Sequence, residues 1–243
     1  MPETKSDIIA RLQREIHQLQ GLRSNLSENV IAPDLGPVNQ AFPDDTFPLG
    51  VMHELISLPA ENAAATTGFV SGILASLMKK DGICLWIGGA KSVFPPALAS
   101  FAINPDKVIF ITLQKESDIF WAIEEALKCS GLAAVVGEIK NMSFTVSRRF
   151  QLAVEQSGVS GFILRQNPRN SQPNACATRW AISSAAGIID DELPGVGHPC
   201  WNVELLKNRN GKTGRWKVGW KNKAFTHYFE SAPIIREVQK KTG

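Results

Sequence analysis

From about residue 48 to 165, short runs that are apolar on both faces alternate with stretches that are apolar on one side only. The runs are Val51-Met52-His53-Glu54-Leu55-Ile56-Ser57, Ile83-Cys84-Leu85-Trp86-Ile87, Val108-Ile109-Phe110-Ile111-Thr112, Leu132-Ala133-Ala134-Val135-Val136 and Gly161-Phe162-Ile163-Leu164-Arg165. Helical spacing separates them. Phe69, Val70, Ile73, Leu74, Leu77 and Met78 mark one helix, residues 96–101 a short one, Ile119, Phe120, Ile123 and Leu127 another, and residues 143–156 the last. Strands buried on both faces and joined by helices specify a parallel sheet covered on each side. After Arg165 the pattern changes to three strands at residues 177–182, 201–206 and 216–220, with Asn208-Arg209-Asn210-Gly211 as hairpin chemistry. That predicts an antiparallel edge added to the parallel sheet. In the last strand Trp216, Val218 and Trp220 should face the core, opposite Arg215, Lys217 and Gly219.

The connection between the first strand and its helix normally houses a phosphate-binding loop. Such a loop needs closely spaced glycines, a lysine for the β/γ-phosphates and a Ser/Thr for magnesium. Here it reads Leu58-Pro59-Ala60-Glu61-Asn62-Ala63-Ala64-Ala65-Thr66-Thr67. Only the threonines remain, and Glu61 would repel a phosphate. An architecture for nucleotide without its chemistry points away from an enzyme. The expectation is a protein with no catalytic residues, no cofactor and a degenerate loop at Ala60, Glu61, Asn62, Ala63, Ala64, Ala65, Thr66 and Thr67.

Composition adds limits. A hydrophobic fraction of 44% in 243 residues supports a real core. No apolar run reaches the roughly 18–20 residues that span a bilayer, and no secretory signal pattern opens the chain. Cys84, Cys129, Cys176 and Cys200 form no Cys-x-x-Cys pair, and apolar surroundings are expected for Cys84 and Cys129. Reduced thiols and a cytoplasmic protein without a metal site are therefore expected. The net charge is +3, but residues 207–223 hold Lys207, Arg209, Lys212, Arg215, Lys217, Lys221 and Lys223 without one acid. These seven are the candidates for binding single-stranded DNA. Lysines along an edge hairpin also discourage sheet-to-sheet pairing, and that reading stands beside the first.

Residues 6–22 read as an amphipathic helix, with Ile9, Leu12, Ile16 and Leu19 on its apolar stripe. The stripe must be buried against the chain's own core, a partner or a second copy. The domain organisation expected is an N-terminal helix (1–23), a linker rich in Asn, Pro, Asp and Gly (24–46), a core (47–230) and a tail (231–243).

This succession resembles the RecA-like core, and more closely the ImuA family of damage-inducible mutagenesis proteins. The residues that carry the likeness are Phe47-Pro48-Leu49-Gly50-Val51-Met52-His53-Glu54, Asp118-Ile119-Phe120-Trp121-Ala122-Ile123-Glu124-Glu125-Ala126-Leu127, and Gly131-Leu132-Ala133-Ala134-Val135-Val136-Gly137-Glu138. Ser147-Arg148-Arg149-Phe150, Ala177-Thr178-Arg179-Trp180, Trp201-Asn202-Val203-Glu204-Leu205 and Gly214-Arg215-Trp216-Lys217-Val218 continue it to about residue 221. The resemblance implies an accessory role in SOS-induced, error-prone translesion synthesis. The partners it implies are ImuB, a polymerase-like protein without polymerase activity, an error-prone DNA polymerase, and RecA for some relatives. Against an active RecA pattern, the second strand ends in Gly88-Gly89-Ala90-Lys91 with no acid. A magnesium ligand is expected after Val136, but the carboxylate there, Glu138, stands one residue late. A one-residue shift along a strand can turn a side chain to the other face. The two DNA-binding loops are also reduced: the one after Arg165 is short and carries Pro168, Arg169 and Pro173. The expectation is a pseudo-ATPase that serves as an adaptor.

Overall fold

A computed structural model describes residues 31–89, 93–166, 172–188 and 197–228. Nine strands form one mixed sheet: β1 (Met52–Ser57), β2 (Cys84–Gly88), β3 (Val108–Thr112), β4 (Ala134–Glu138), β5 (Ser160–Gln166), β6 (Thr178–Ile188), β7 (His198–Asn208), β8 (Gly214–Lys221) and β9 (Ala224–His227). Their order is β3-β2-β4-β5-β1-β6-β7-β8-β9. The first six in that row run parallel, and β6 to β9 pair antiparallel. The α/β class and the antiparallel extension are as the sequence pattern led us to expect. β9 was missed. It is four residues long and follows a tight turn at Asn222 and Lys223, both with positive φ, so its alternation is too short to read.

Three helices cover the parallel part: α1 (Ala63–Leu77), α2 (Glu116–Leu127) and α3 (Phe144–Ser157). α3 has clear boundaries. Ser143 Oγ accepts from the Val146 N–H at 3.2 Å, and Gly158 closes the helix at φ 78°. α1 lies on the front of the sheet, and α2 and α3 lie on the back. Each covered face has its own apolar cluster. The front cluster includes Leu55, Phe69, Phe162, Trp180, Trp201 and Trp220. The back one includes Met52, Ile123, Leu127, Val135, Phe150 and Ile163. Small residues on α1 make the front close-packed: a side chain on Gly72 would meet Phe225, and one on Gly68 would meet Trp201 and Phe101.

Residues 31–46 are part of this packing, although the sequence reads as a linker. Two short 3-10 turns, Gly36–Ala41 and Pro43–Asp45, carry Leu35, Val38, Ala41 and Phe42 into the front cluster. Such turns have neither the helical nor the strand period, which is why apolar patterning passed over them. Phe42 and Phe47 stand against Trp180. The candidate partner helix with Ile9, Leu12, Ile16 and Leu19, and the tail 231–243, lie outside the described residues. Cys84, Cys176 and Cys200 are buried, whereas Cys129 is exposed just past the end of α2.

Candidate functional site

The turn from β1 to α1 is where a phosphate would be held. Only residues 58–62 separate the strand from the helix, with a 3-10 turn at Ala60–Asn62. If Thr66 is taken as the magnesium-binding hydroxyl, the spacing of a phosphate loop puts Pro59 and Ala64 where glycines are required and Ala65 at the lysine. The polar groups that remain are bonded to one another. Thr66 Oγ1 lies 2.8 Å from Ser57 Oγ and donates to the Asn62 carbonyl at 3.1 Å. Asn62 Nδ2 donates to the Leu58 carbonyl at 2.8 Å, and its Oδ1 accepts from the Ser184 N–H on β6 at 3.0 Å. The side chain of Asn62 thus pins the turn to the neighbouring strand.

Glu138 ends β4 on the front face, the side of α1, beside Gly88 of β2. Strand alternation alone left its direction open. Its carboxylate accepts from the Trp86 indole N–H at 2.5 Å. β4 is two places from β1 in the sheet, which puts the strand axes about 10 Å apart.

On the back face, beneath the connection from β5 to β6, lies a cluster the sequence reading did not single out. Glu54 is fully buried in the middle of β1. Arg165 Nη1 donates to its Oε1 at 2.7 Å, Asn174 Nδ2 donates to its Oε2 at 2.6 Å, and Arg179 Nε donates to the same oxygen. Arg165 also reaches the Lys140 carbonyl, and Arg179 the Gln172 carbonyl at 2.6 Å. Lys207 Nζ donates to the carbonyls of Asn174 and Cys176, both at 2.8 Å, and Arg209 to that of Ala175 at 2.6 Å. Burial pulls the Lys207 pKa below its usual value, and pushes the Cys176 thiol up to about 12, with the Glu54 charge adding to the rise. Arg165 and Arg179 thus share the Glu54 carboxylate, and Arg179, Lys207 and Arg209 hold the described end of the crossover, residues 172–176, by its carbonyls. A single charge inside a strand that is apolar on both faces is the signal that could have exposed it, because such a charge must be paired.

The opposite face of β1 carries a neutral counterpart. His53 is fully buried, with Nδ1 2.8 Å from Thr178 Oγ1 and Nε2 3.0 Å from the Pro48 carbonyl. Its ring stacks between Phe47 and Phe162. Burial lowers its pKa to about 3.

The seven basic candidates do not form one patch. Lys207 and Arg209 are taken up by the crossover. Lys212 sits in the β7–β8 turn, and Lys221 and Lys223 at the other end of β8. About 23 Å separates the two ends of that strand. Arg215 and Lys217 line a groove of about 660 Å³ on the back of the antiparallel half, with Leu58, Ser183, Asn202 and Tyr228. Arg215 pairs there with Glu204 at 2.7 Å. Trp216, Val218 and Trp220 face the front cluster, as the alternation suggested. Arg148 and Arg149 form surface ion pairs with Glu155 and Glu124.

Among the described residues, no group of three or more His, Cys, Asp or Glu could hold a metal ion. Nor is any described helix long and apolar enough to cross a membrane. The chain is similar to curated proteins called Protein ImuA from two strains of Caulobacter vibrioides, NA1000 / CB15N and ATCC 19089 / CIP 103742 / CB 15. Each is 31% identical over 192 residues, covering 74% of this chain and 78% of the relative. No family model matches.

Proposed function

This chain belongs to the ImuA family, and from that premise we propose that it acts in damage-induced mutagenesis as a RecA-like adaptor without catalytic activity. Its partner in this reading is an ImuB-like, polymerase-related protein working with an error-prone DNA polymerase. The observation that carries the non-catalytic part is the closed β1–α1 turn. Asn62, Thr66 and Ser57 satisfy one another there, with no lysine and no glycine to bring backbone N–H groups onto a phosphate. Phosphoryl transfer depends on charges positioned around the phosphates. The carboxylate nearest that role, Glu138, is bonded to Trp86 instead. The parallel sheet with α1 packed behind that turn supports the RecA-like part.

The test has two arms. Calorimetry with ATP and magnesium should give no binding heat at millimolar nucleotide, and saturable binding would return the protein to the nucleotide-dependent class. Co-purification should recover the ImuB-like protein from damaged cells of the source organism. Failure to retain any component of the mutagenic polymerase machinery would refute the adaptor role. Direct contact with DNA has less support, because Lys207 and Arg209 are committed to backbone carbonyls.

A further inference from the structure

The two edges of the sheet are guarded to different degrees. β9 is four residues long, is preceded by Lys221 and Lys223 at its turn, and packs against residues 36–41, with Gly36 on the His227 ring. Short length, lysines and a covering segment are the usual protections of a sheet edge. β3 is also short, at five residues, and Lys107 directly precedes it. Within the strand, however, there is no charge and no proline. It pairs with β2 over all five residues without a bulge, and among the described residues no strand lies on its other side. Ile109 on the back is 49% exposed and Phe110 on the front 37%. α2 packs mainly on β2 and β4, and on β3 it is Ile111 that joins the back cluster.

The order of residues on β3 says what fits it. Val108-Ile109-Phe110-Ile111-Thr112 reads almost the same in both directions, since Val and Thr have nearly the same shape. In an antiparallel pair centred on Phe110, Val108 falls opposite Thr112, Ile109 opposite Ile111, and Phe110 opposite its own counterpart. Every pair is β-branched or aromatic, the combinations that stabilise a ladder. A strand from a different protein would need no such symmetry, whereas a two-fold contact requires a self-complementary surface. The described chain enters and leaves beside β9, eight strand spacings or about 38 Å away. We propose that β3 is a dimerisation edge that pairs with β3 of a second copy and continues the sheet across a two-fold axis. This does not depend on the adaptor reading.

Sedimentation equilibrium of the full chain should show a reversible dimer at micromolar concentration. Ile109→Lys, a change at a half-exposed position, should weaken it at least tenfold while leaving the circular dichroism spectrum unchanged. Lys223→Glu at the opposite edge should leave the dimer intact. In a Cys129→Ser background, Phe110→Cys should form a disulfide-linked dimer under a mild oxidant, because opposed residues lie about 4.5–5.5 Å apart between Cα atoms, within disulfide reach. A chain that stays monomeric at all concentrations overturns the proposal, including one whose β3 is covered by its own terminus or by another protein. So does a dimer that resists Ile109→Lys and is not captured by Phe110→Cys.

Discussion

The turn after β1 and the crossover after β5 leave neighbouring strands of one parallel sheet, yet they are secured by different chemistry. The turn is sealed by neutral groups: the Ser57 and Thr66 hydroxyls bond to each other, Thr66 also bonds to the Asn62 carbonyl, and the Asn62 amide bonds to the backbone of Leu58 and Ser184. In the crossover, the peptide groups of the described residues 172–176 are met by side chains. Arg179, Lys207 and Arg209 supply donors to the carbonyls of Gln172, Asn174, Ala175 and Cys176, while Glu54 balances part of the charge. Buried backbone must find partners in either case. A short turn can find them locally, whereas the crossover draws on side chains from other strands. The second solution is the more fragile, because Glu54, Arg165 and Arg179 stay buried when a partner is lost.

That difference can be tested through stability. Glu54→Ala leaves Arg165 and Arg179 buried without their carboxylate and should cost about 3–5 kcal/mol. Urea unfolding would measure it. A loss under about 1 kcal/mol would mean that water or carbonyls already balance the cluster.

His53, on the other side of the same strand, sharpens the contrast through pH. Its folded pKa of about 3 lies below the ordinary histidine value. Below pH 6.5 the unfolded chain therefore takes up a proton that the folded chain refuses. The stability it contributes is complete above about pH 6.5 and falls toward pH 3, by up to about 1.4 kcal/mol per pH unit. His53→Gln should remove this slope. Parallel slopes for the two proteins between about pH 6.5 and pH 4 would assign the loss to other groups.

The smallest effect should come from the turn. Asn62→Ala removes a buried amide and strands the Ser184 N–H, at about 1–2 kcal/mol. If it cost more than Glu54→Ala, the ranking of the two connections would be reversed.

Strands β1 to β5 and the three helices were legible because each is long enough to show its period. The lack of glycine and lysine between β1 and α1 was legible too, since those residues are defined by type and spacing. The ion cluster was not. Glu54, Arg165 and Arg179 lie 111 and 125 residues apart in the chain and meet only after the strands pair. The basic stretch shows the reverse problem. Its cations are close in sequence, but the length of β8 spreads them from the β7–β8 turn to the turn before β9, and Lys207 and Arg209 are drawn to backbone carbonyls. Proximity along the chain suggested a patch that the strand geometry divides.

One result of how residues 31–47 are laid across the front is that the described chain begins and ends on the same flank. Pro37 and Tyr228 border a common groove, and Gly36 touches His227. The tether points at residues 31 and 228 therefore both lie on the β9 side of the sheet, at the far side from β3. Two copies joined through β3 would hold their tethers about 80 Å apart along an uncurled sheet. Such a particle would act as a two-headed spacer, able to keep two bound molecules from crowding each other.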